Sequence, residues 1–228
     1  MDAVTPAINL RQRLDWWARD YVYAVRGQTR ALTGRTAPDA LAEGPGVPIV
    51  LLPGIYETWR FLEPLAAAVH AHGHPVHVVT ELGGNRRPIA SSAAQVSALI
   101  EARGLDEVVL LAHSKGGLIG KHVMAFDPVG ARIRGMVAVA TPFGGSRYSR
   151  VMPTPSLRAF ATADATMRAL AASAEVNTRI VSIYGPFDPH IPEGSELAGA
   201  RNIELAEGGH FRVLASPRIV AEVIRLAG

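Results

Sequence analysis

The chain has 228 residues, 48% of them hydrophobic, enough to bury one sizeable core, and the expectation is a single domain. It contains no cysteine, so disulfides, thiolate catalysis and sulfur-ligated metal are excluded. The pI near 9.6 rests on scattered arginines, with lysine only at Lys115 and Lys121 and a net charge of +3, so no basic run marks a nucleic-acid footprint.

No stretch approaches the uninterrupted apolar length that spans a bilayer. The N-terminus, MDAVTPAINLRQRLDWW, opens with an acid and lacks the apolar core of a signal peptide, which predicts a soluble, cytoplasmic protein. Residues 8–32 predict one amphipathic helix, because Leu10, Leu14, Trp17, Tyr21, Ala24 and Val25 recur at helical spacing while Arg11, Arg13, Arg19 and Arg26 fall mostly elsewhere. That stripe is expected to bury itself, either on the protein's own sheet or, through the adjacent Trp16 and Trp17 and the arginines, on a lipid surface. Residues 33–48, rich in Gly, Pro and Ala, read as a linker, dividing a helix-and-linker segment, 1–46, from a core at 47–228.

From residue 47 strands alternate with helices, the pattern of a parallel sheet covered on both faces. Strands are expected at 47–52, 76–80, 108–112, 133–140, 179–184 and 201–206, and helices at 58–71, 90–103, 115–126 and 217–226. Residues 146–177 interrupt the alternation with a proline-broken run and one helix at 164–174, and form a candidate lid or cap carrying apolar Val151, Met152, Leu157, Phe160, Met167 and Leu170.

The stretch VVLLAHSKGG, residues 108–117, organises the rest. Ser114 sits between a buried strand and a helix opening on Gly116 and Gly117, with Ala112 and Gly116 two positions either side, the form of a nucleophile elbow. Such a turn lifts the hydroxyl out of the sheet and aims the first helical N–H groups at the substrate. Asp188, in GPFDPHIP, and His210, in EGGHF, each follow a strand, so both fall on the carboxyl edge of the sheet, where open α/β folds bind ligands. Their order, Ser114 then Asp188 then His210, is that of a triad built on such a sheet. Imidazole takes the serine proton and later returns it to the leaving group, while the carboxylate fixes the imidazole's tautomer. Backbone N–H groups of Lys115 and Ile55 are the candidate oxyanion donors.

On PGI (53–55), AHSKGG (112–117), ATPFGGS (140–146), GPFD (185–188) and GGH (208–210), the chain from about residue 47 onward resembles the α/β-hydrolases of the bacterial lipase and esterase group, with the Ala-x-Ser-x-Gly elbow of the small Bacillus-type lipases. The resemblance implies an α/β fold, hydrolysis of a small-molecule acyl ester substrate of any chain length through an acyl-enzyme, and no cofactor. Thioesterase, acyltransferase and amidase share the machinery, and a hydrolase fold used only for binding is the alternative of another class. Where such lipases often carry His-Gly at the oxyanion loop, this chain has Pro53-Gly54, and residues 1–45 have no recognised counterpart.

Tyr56, Trp59 and Phe143 are candidates to line the acyl pocket, with ordinary packing as the other reading. His70, His72, His74 and His77 lack a nearby carboxylate to complete a metal set and are expected to be solvated. His190 is the second choice for the base, His113 a structural residue, and Lys115, a cation at a helix start, is expected to extend into water.

Overall fold

The computed structural model describes residues 8–147 and 164–228. Six strands, β1 (Ile49–Leu52), β2 (Val76–Val78), β3 (Val108–His113), β4 (Ile133–Val139), β5 (Ile180–Tyr184) and β6 (Arg201–Glu204), form one parallel sheet in the order β2-β1-β3-β4-β5-β6. Every residue of β1, β2 and β3 is buried, as a strand covered on both faces requires, and this is why β1 and β3 up to Ala112 read as unbroken apolar runs instead of alternating ones. Only β6, at the sheet's edge, keeps exposed residues at both its ends.

Among the described residues six α-helices surround the sheet: α1 (Leu10–Thr33), α2 (Glu63–His70), α3 (Ile89–Ala102), α4 (Lys115–Phe126), α5 (Ala165–Ala172) and α6 (Pro217–Ala227). Because side chains alternate along a strand, Val50, Leu52, Leu110, Ala112 and Ala138 share one core layer with Val96, Ile100, Leu118, Ile119 and Leu170 of α3, α4 and α5. Ile49, Leu51, Val109, Leu111 and Val137 share the other with Leu65, Val69, Ile219 and Val223 of α2 and α6. Met167 and Leu170 are thus core residues, so the C-terminal part of the candidate cap is fixed packing. The rest of it, residues 148–163, lies outside the described residues.

Several boundaries differ from the sequence expectation. The helix expected at 58–71 is a 3-10 turn, Trp59–Leu62, followed by α2, with Pro64 in the first helical turn where no intrahelical N–H bond is lost. Strands β2 and β6 stop short of residues 80 and 206, β2 giving way to a second 3-10 turn at Thr80–Leu82.

The larger correction concerns α1. The stripe expected to be buried, Leu10, Leu14, Trp17, Tyr21 and Val25, is exposed. The residues that α1 buries are Trp16, Asp20 and Gly27, on a different face. The reason is that the docking surface is set by shape and hydrogen bonding more than by hydrophobicity. A Cβ at Gly27 would sit 2.5 Å from the Phe61 ring, and Gly208 leaves a similar gap filled by Trp16. The wholly buried Asp20 carboxylate accepts from the backbone N–H groups of Phe211 and Arg212, both at 2.7 Å, and so ties α1 to the loop that begins at His210.

The chain leaves β1 toward β2 at one edge and returns to β3 on the other side of β1, so the sheet's topological switch lies between β1 and β3. At such a switch the loops diverge and open a crevice at the carboxyl ends of the strands. Helix α4 closes against the sheet there, and a Cβ on Gly116 would lie 2.1 Å from the Leu52 carbonyl oxygen. Gly116→Ala is therefore expected to lower stability by about 1–3 kcal/mol, because the obstacle is backbone that cannot swing aside. Asp20→Ala, which leaves two buried N–H donors unpaired, is expected to cost about 2–3 kcal/mol. Urea unfolding of both variants checks these values.

Candidate active site

Strand β3 ends at His113, and Ser114 takes φ 50° and ψ −120°, a left-handed conformation that L-residues avoid at a cost of about 1–3 kcal/mol. The turn is held by the Ser114 N–H, which donates to the Val139 carbonyl of β4 at 2.8 Å. Ser114 is thereby placed at the N-terminus of α4 with its hydroxyl toward the loops that follow β5 and β6.

His210 Nε2 lies 3.0 Å from Ser114 Oγ, and His210 Nδ1 lies 2.7 Å from Asp188 Oδ2. The carboxylate can only accept, so Nδ1 carries the proton and Nε2 is free to accept from the serine hydroxyl. Asp188 Oδ1 accepts from the backbone N–H groups of His190 at 2.7 Å and Ile191 at 3.0 Å, which fixes the carboxylate before it meets the ring. Burial by itself would lower the His210 pKa, but the charge and hydrogen bond of Asp188, with Glu57 and Asp20 behind them, hold it above the usual 6.5. For Asp188, burial pushes upward and is outweighed by His210 and the two backbone donors, which hold the carboxyl below its usual 3.8. The structure thus brings together all three residues that the sequence places on the carboxyl edge.

The loop after β1 is held from four directions. Glu57 Oε2 accepts from the Gly54 N–H at 2.8 Å, and Asn85 Nδ2 donates to the Pro53 carbonyl at 2.7 Å. The Tyr56 N–H donates to Gly84 O at 2.8 Å, and Gln28 of α1 donates to Tyr56 O at 3.2 Å. Ile55 sits between these fixed points. Lys115, the other candidate donor, is the first residue of α4, a position whose N–H has no intrahelical acceptor.

The Lys115 side chain does not extend into water. It is 1% exposed, and its ammonium donates to the Asn85 carbonyl at 2.8 Å and to the Arg87 carbonyl, so it cross-links the elbow to the loop that supports Pro53. The long aliphatic stem suits burial and the two carbonyls replace water, while desolvation still pushes its pKa down to about 8. Of the pocket candidates, Tyr56 is exposed, with the Arg86 guanidinium over its ring at 5.2 Å. Trp59 and Phe143 are buried in the two core layers, Phe143 in the one against which Ile55 also packs.

His113 is wholly buried and spans the site. Its Nε2 donates to the His210 carbonyl at 3.1 Å, and its Nδ1 meets Glu57 Oε2 at 2.9 Å. His190, the alternative base, packs its ring 5.0 Å from that of His210 and gives its backbone N–H to Asp188, but the ring nitrogen that meets Ser114 belongs to His210. Sequence reasoning missed Glu57, Asn85 and Asp20. A charged or amide residue in a loop reads as solvated, and only the proximity of Glu57 to Gly54 in PGIYE offered a signal. The histidines of HAHGHPVH bind carbonyls instead of clustering: Nδ1 of His72 donates to Ala68 O at 2.9 Å and Nδ1 of His74 to Val47 O at 3.0 Å. His77, expected to be solvated, is buried in β2, and burial lowers its pKa.

No protein-family model and no curated protein matches the sequence. Solved structures do match the fold. Bacillus licheniformis lipase BlEst2 in mature form superposes with a TM-score of 0.64 at 14% identity, over 85% of this chain and 94% of that one. A structure from the work on LipS and LipT, two metagenome-derived lipolytic enzymes, gives 0.62 at 14% identity over 85% and 99%. Epoxide hydrolase VrEH1 from Vigna radiata gives 0.54 at 14% identity over 80% and 91%. Neighbours that differ this much in chemistry share a scaffold and not a reaction, and what they establish together with the parallel six-stranded sheet is that this chain has the α/β-hydrolase fold.

Proposed function

We propose that the protein is a serine hydrolase of the lipase or esterase type that cleaves acyl esters through an acyl-enzyme. The observation that carries this reading is the continuous hydrogen-bonded chain from Ser114 Oγ through His210 to Asp188, at 3.0 and 2.7 Å. A core serine would need neither the strained elbow nor the paired imidazole. In the reaction His210 Nε2 takes the Ser114 proton as Oγ attacks the ester carbonyl, and Asp188 stabilises the imidazolium that forms. The carbonyl oxygen, now negative, is met by the Lys115 and Ile55 N–H groups, with the α4 N-terminus behind the first. The imidazolium then protonates the departing alcohol. Water, activated by the same ring, attacks the acyl-enzyme and releases the acid with the serine restored. The three side chains supply nucleophile, base and orienting acid themselves, so this reaction calls on no cofactor.

The holding of the β1 loop supports the assignment of Ile55, since a donor that must meet charge only in the transition state is effective when it is fixed beforehand. Of the three pocket candidates, Tyr56 beside it is exposed while Trp59 and Phe143 are buried, which favours Tyr56 as the one that meets substrate.

Hydrolysis of p-nitrophenyl esters of rising chain length, with labelling by a serine-directed phosphonate, tests the reading. Ser114→Ala is expected to lower kcat by roughly 10⁴ or more, with unfolding unchanged. A wild-type rate in that variant would refute the proposal. Because His210 must be neutral to accept a proton and its pKa is raised, kcat/KM is expected to fall as pH drops through a value above 6.5. Asp188→Asn removes the charge that raises it while burial remains, so the residual activity of that variant should keep its rate to lower pH. A pH profile of both proteins with p-nitrophenyl butyrate measures the shift, and an acid limb that does not move would exclude Asp188 as the partner.

A further inference from the structure

Helix α1 has 24 residues, of which only Trp16, Asp20 and Gly27 are fully buried. Seven of the nine exposed large hydrophobic residues among the described residues lie on it: Leu10, Leu14, Trp17, Tyr21, Val22, Val25 and Leu32. Single exposed leucines are ordinary, but this concentration on one element is not. At 3.6 residues per turn, all of these except Val22 fall on one line along the helix, and Leu10 is 71%, Leu14 56% and Leu32 86% exposed.

The line has a fixed direction. Asp20, Trp16 and the Gly27 contact with Phe61 clamp a neighbouring face of α1, about a third of a turn round from the line, to the loops of the site, and Gln28, within the line, bonds to Tyr56 O. The Tyr21 ring lies 5.8 Å from that of His190, which in turn lies 5.0 Å from that of His210. Trp17 and Arg13 form one wall of a groove of about 460 Å³ whose other wall is the loop from Tyr184 to Ser195. The apolar line therefore borders the mouth of the site.

Charge indicates what it meets. Arg11 and Arg13 project to either side of the line, and Arg19, Arg26 and Arg30 occupy the polar face; all five are exposed, against one exposed acid on the helix, Asp15, since Asp20 is consumed by its backbone bonds. An apolar line with arginines at its flanks and back is the pattern of a helix that lies in the plane of an anionic bilayer surface. Among the described residues no helix is long and apolar enough to cross a membrane, so α1 would lie on the surface and not span it.

We propose that α1 docks the protein on an anionic lipid surface and so sets the mouth of the site against lipid, from which a membrane-resident ester enters; the nature of that substrate rests on the hydrolase reading, whereas the docking does not. Sedimentation of the full chain with vesicles of phosphatidylcholine, alone or mixed equally with phosphatidylglycerol, tests it. Binding is expected to the mixed vesicles, to weaken with salt, and to persist in Ser114→Ala. Replacing Leu10, Leu14 and Leu32 together by Ser, positions that contact none of the catalytic residues, is expected to reduce partitioning by about tenfold or more while leaving kcat/KM for soluble p-nitrophenyl butyrate unchanged. Wild-type protein that ignores anionic vesicles, a triple variant that binds as well as wild type, or a dimer in light scattering that the triple variant abolishes would each overturn the docking proposal. Docking with no turnover of any ester would instead overturn the hydrolase reading and leave the docking intact.

Discussion

The approach of α4 to the sheet governs the site. Gly116 lets the first turn of the helix come within touching distance of the Leu52 carbonyl at the end of β1, and this brings Ser114 and the loop after β1 to the same crevice. A side chain at residue 116 would push the two apart, and with them Ser114 and the loop that carries Ile55. The unfavourable backbone of Ser114 follows from the same geometry, because a strand can turn into a helix so close beside it only through a left-handed residue. That conformation is held by the sheet: the Ser114 N–H bonds to β4, and Gly117 leaves room for Thr141 just past the end of β4.

Around this contact lies a set of buried polar side chains that bond chiefly to backbone. Glu57 holds Gly54, Asn85 holds Pro53, Lys115 holds Asn85 and Arg87, and Asp20 holds Phe211 and Arg212. His113 joins Glu57 to the carbonyl of His210. Buried charges are costly to desolvate, and they persist where loops need fixed anchors that apolar packing cannot supply. Loops at the carboxyl edge have no sheet ladder of their own, so side chains satisfy their N–H and carbonyl groups instead. The outcome is that the loop carrying Ile55 and the loop carrying His210 are each held by a buried carboxylate, Glu57 for the first and Asp20 for the second.

Helix α1 belongs to this arrangement and not to a separate appendage, since it supplies Asp20 to one loop and Gln28 to the other. Its role also explains why its hydrophobic face misleads. Hydrophobic periodicity identifies a helix and its apolar side, but it does not say which side the protein itself covers. Here the buried side is chosen by a small residue, a carboxylate and one tryptophan, and the richer apolar side is left exposed.

By itself the sequence determined the alternation of strands and helices, because β1 and β3 are fully covered, and β4 is covered from Gly135 onward, and so they read largely as apolar runs. It also determined the elbow at Ser114 and the position of Asp188 and His210 at strand ends, because chain order along a parallel sheet translates directly into places on its carboxyl edge. Tertiary structure decided what depends on distance across the fold. The short helical pieces at Trp59–Leu62 and Thr80–Leu82, the burial of Lys115 and His77, and the meeting of Ser114 with His210 and not His190 follow from which groups lie together, and residues far apart in sequence carry no local mark of meeting. The same holds for Asp20, 190 residues before His210: only the folded chain shows that an acid in an N-terminal helix accepts from the backbone N–H groups that follow His210.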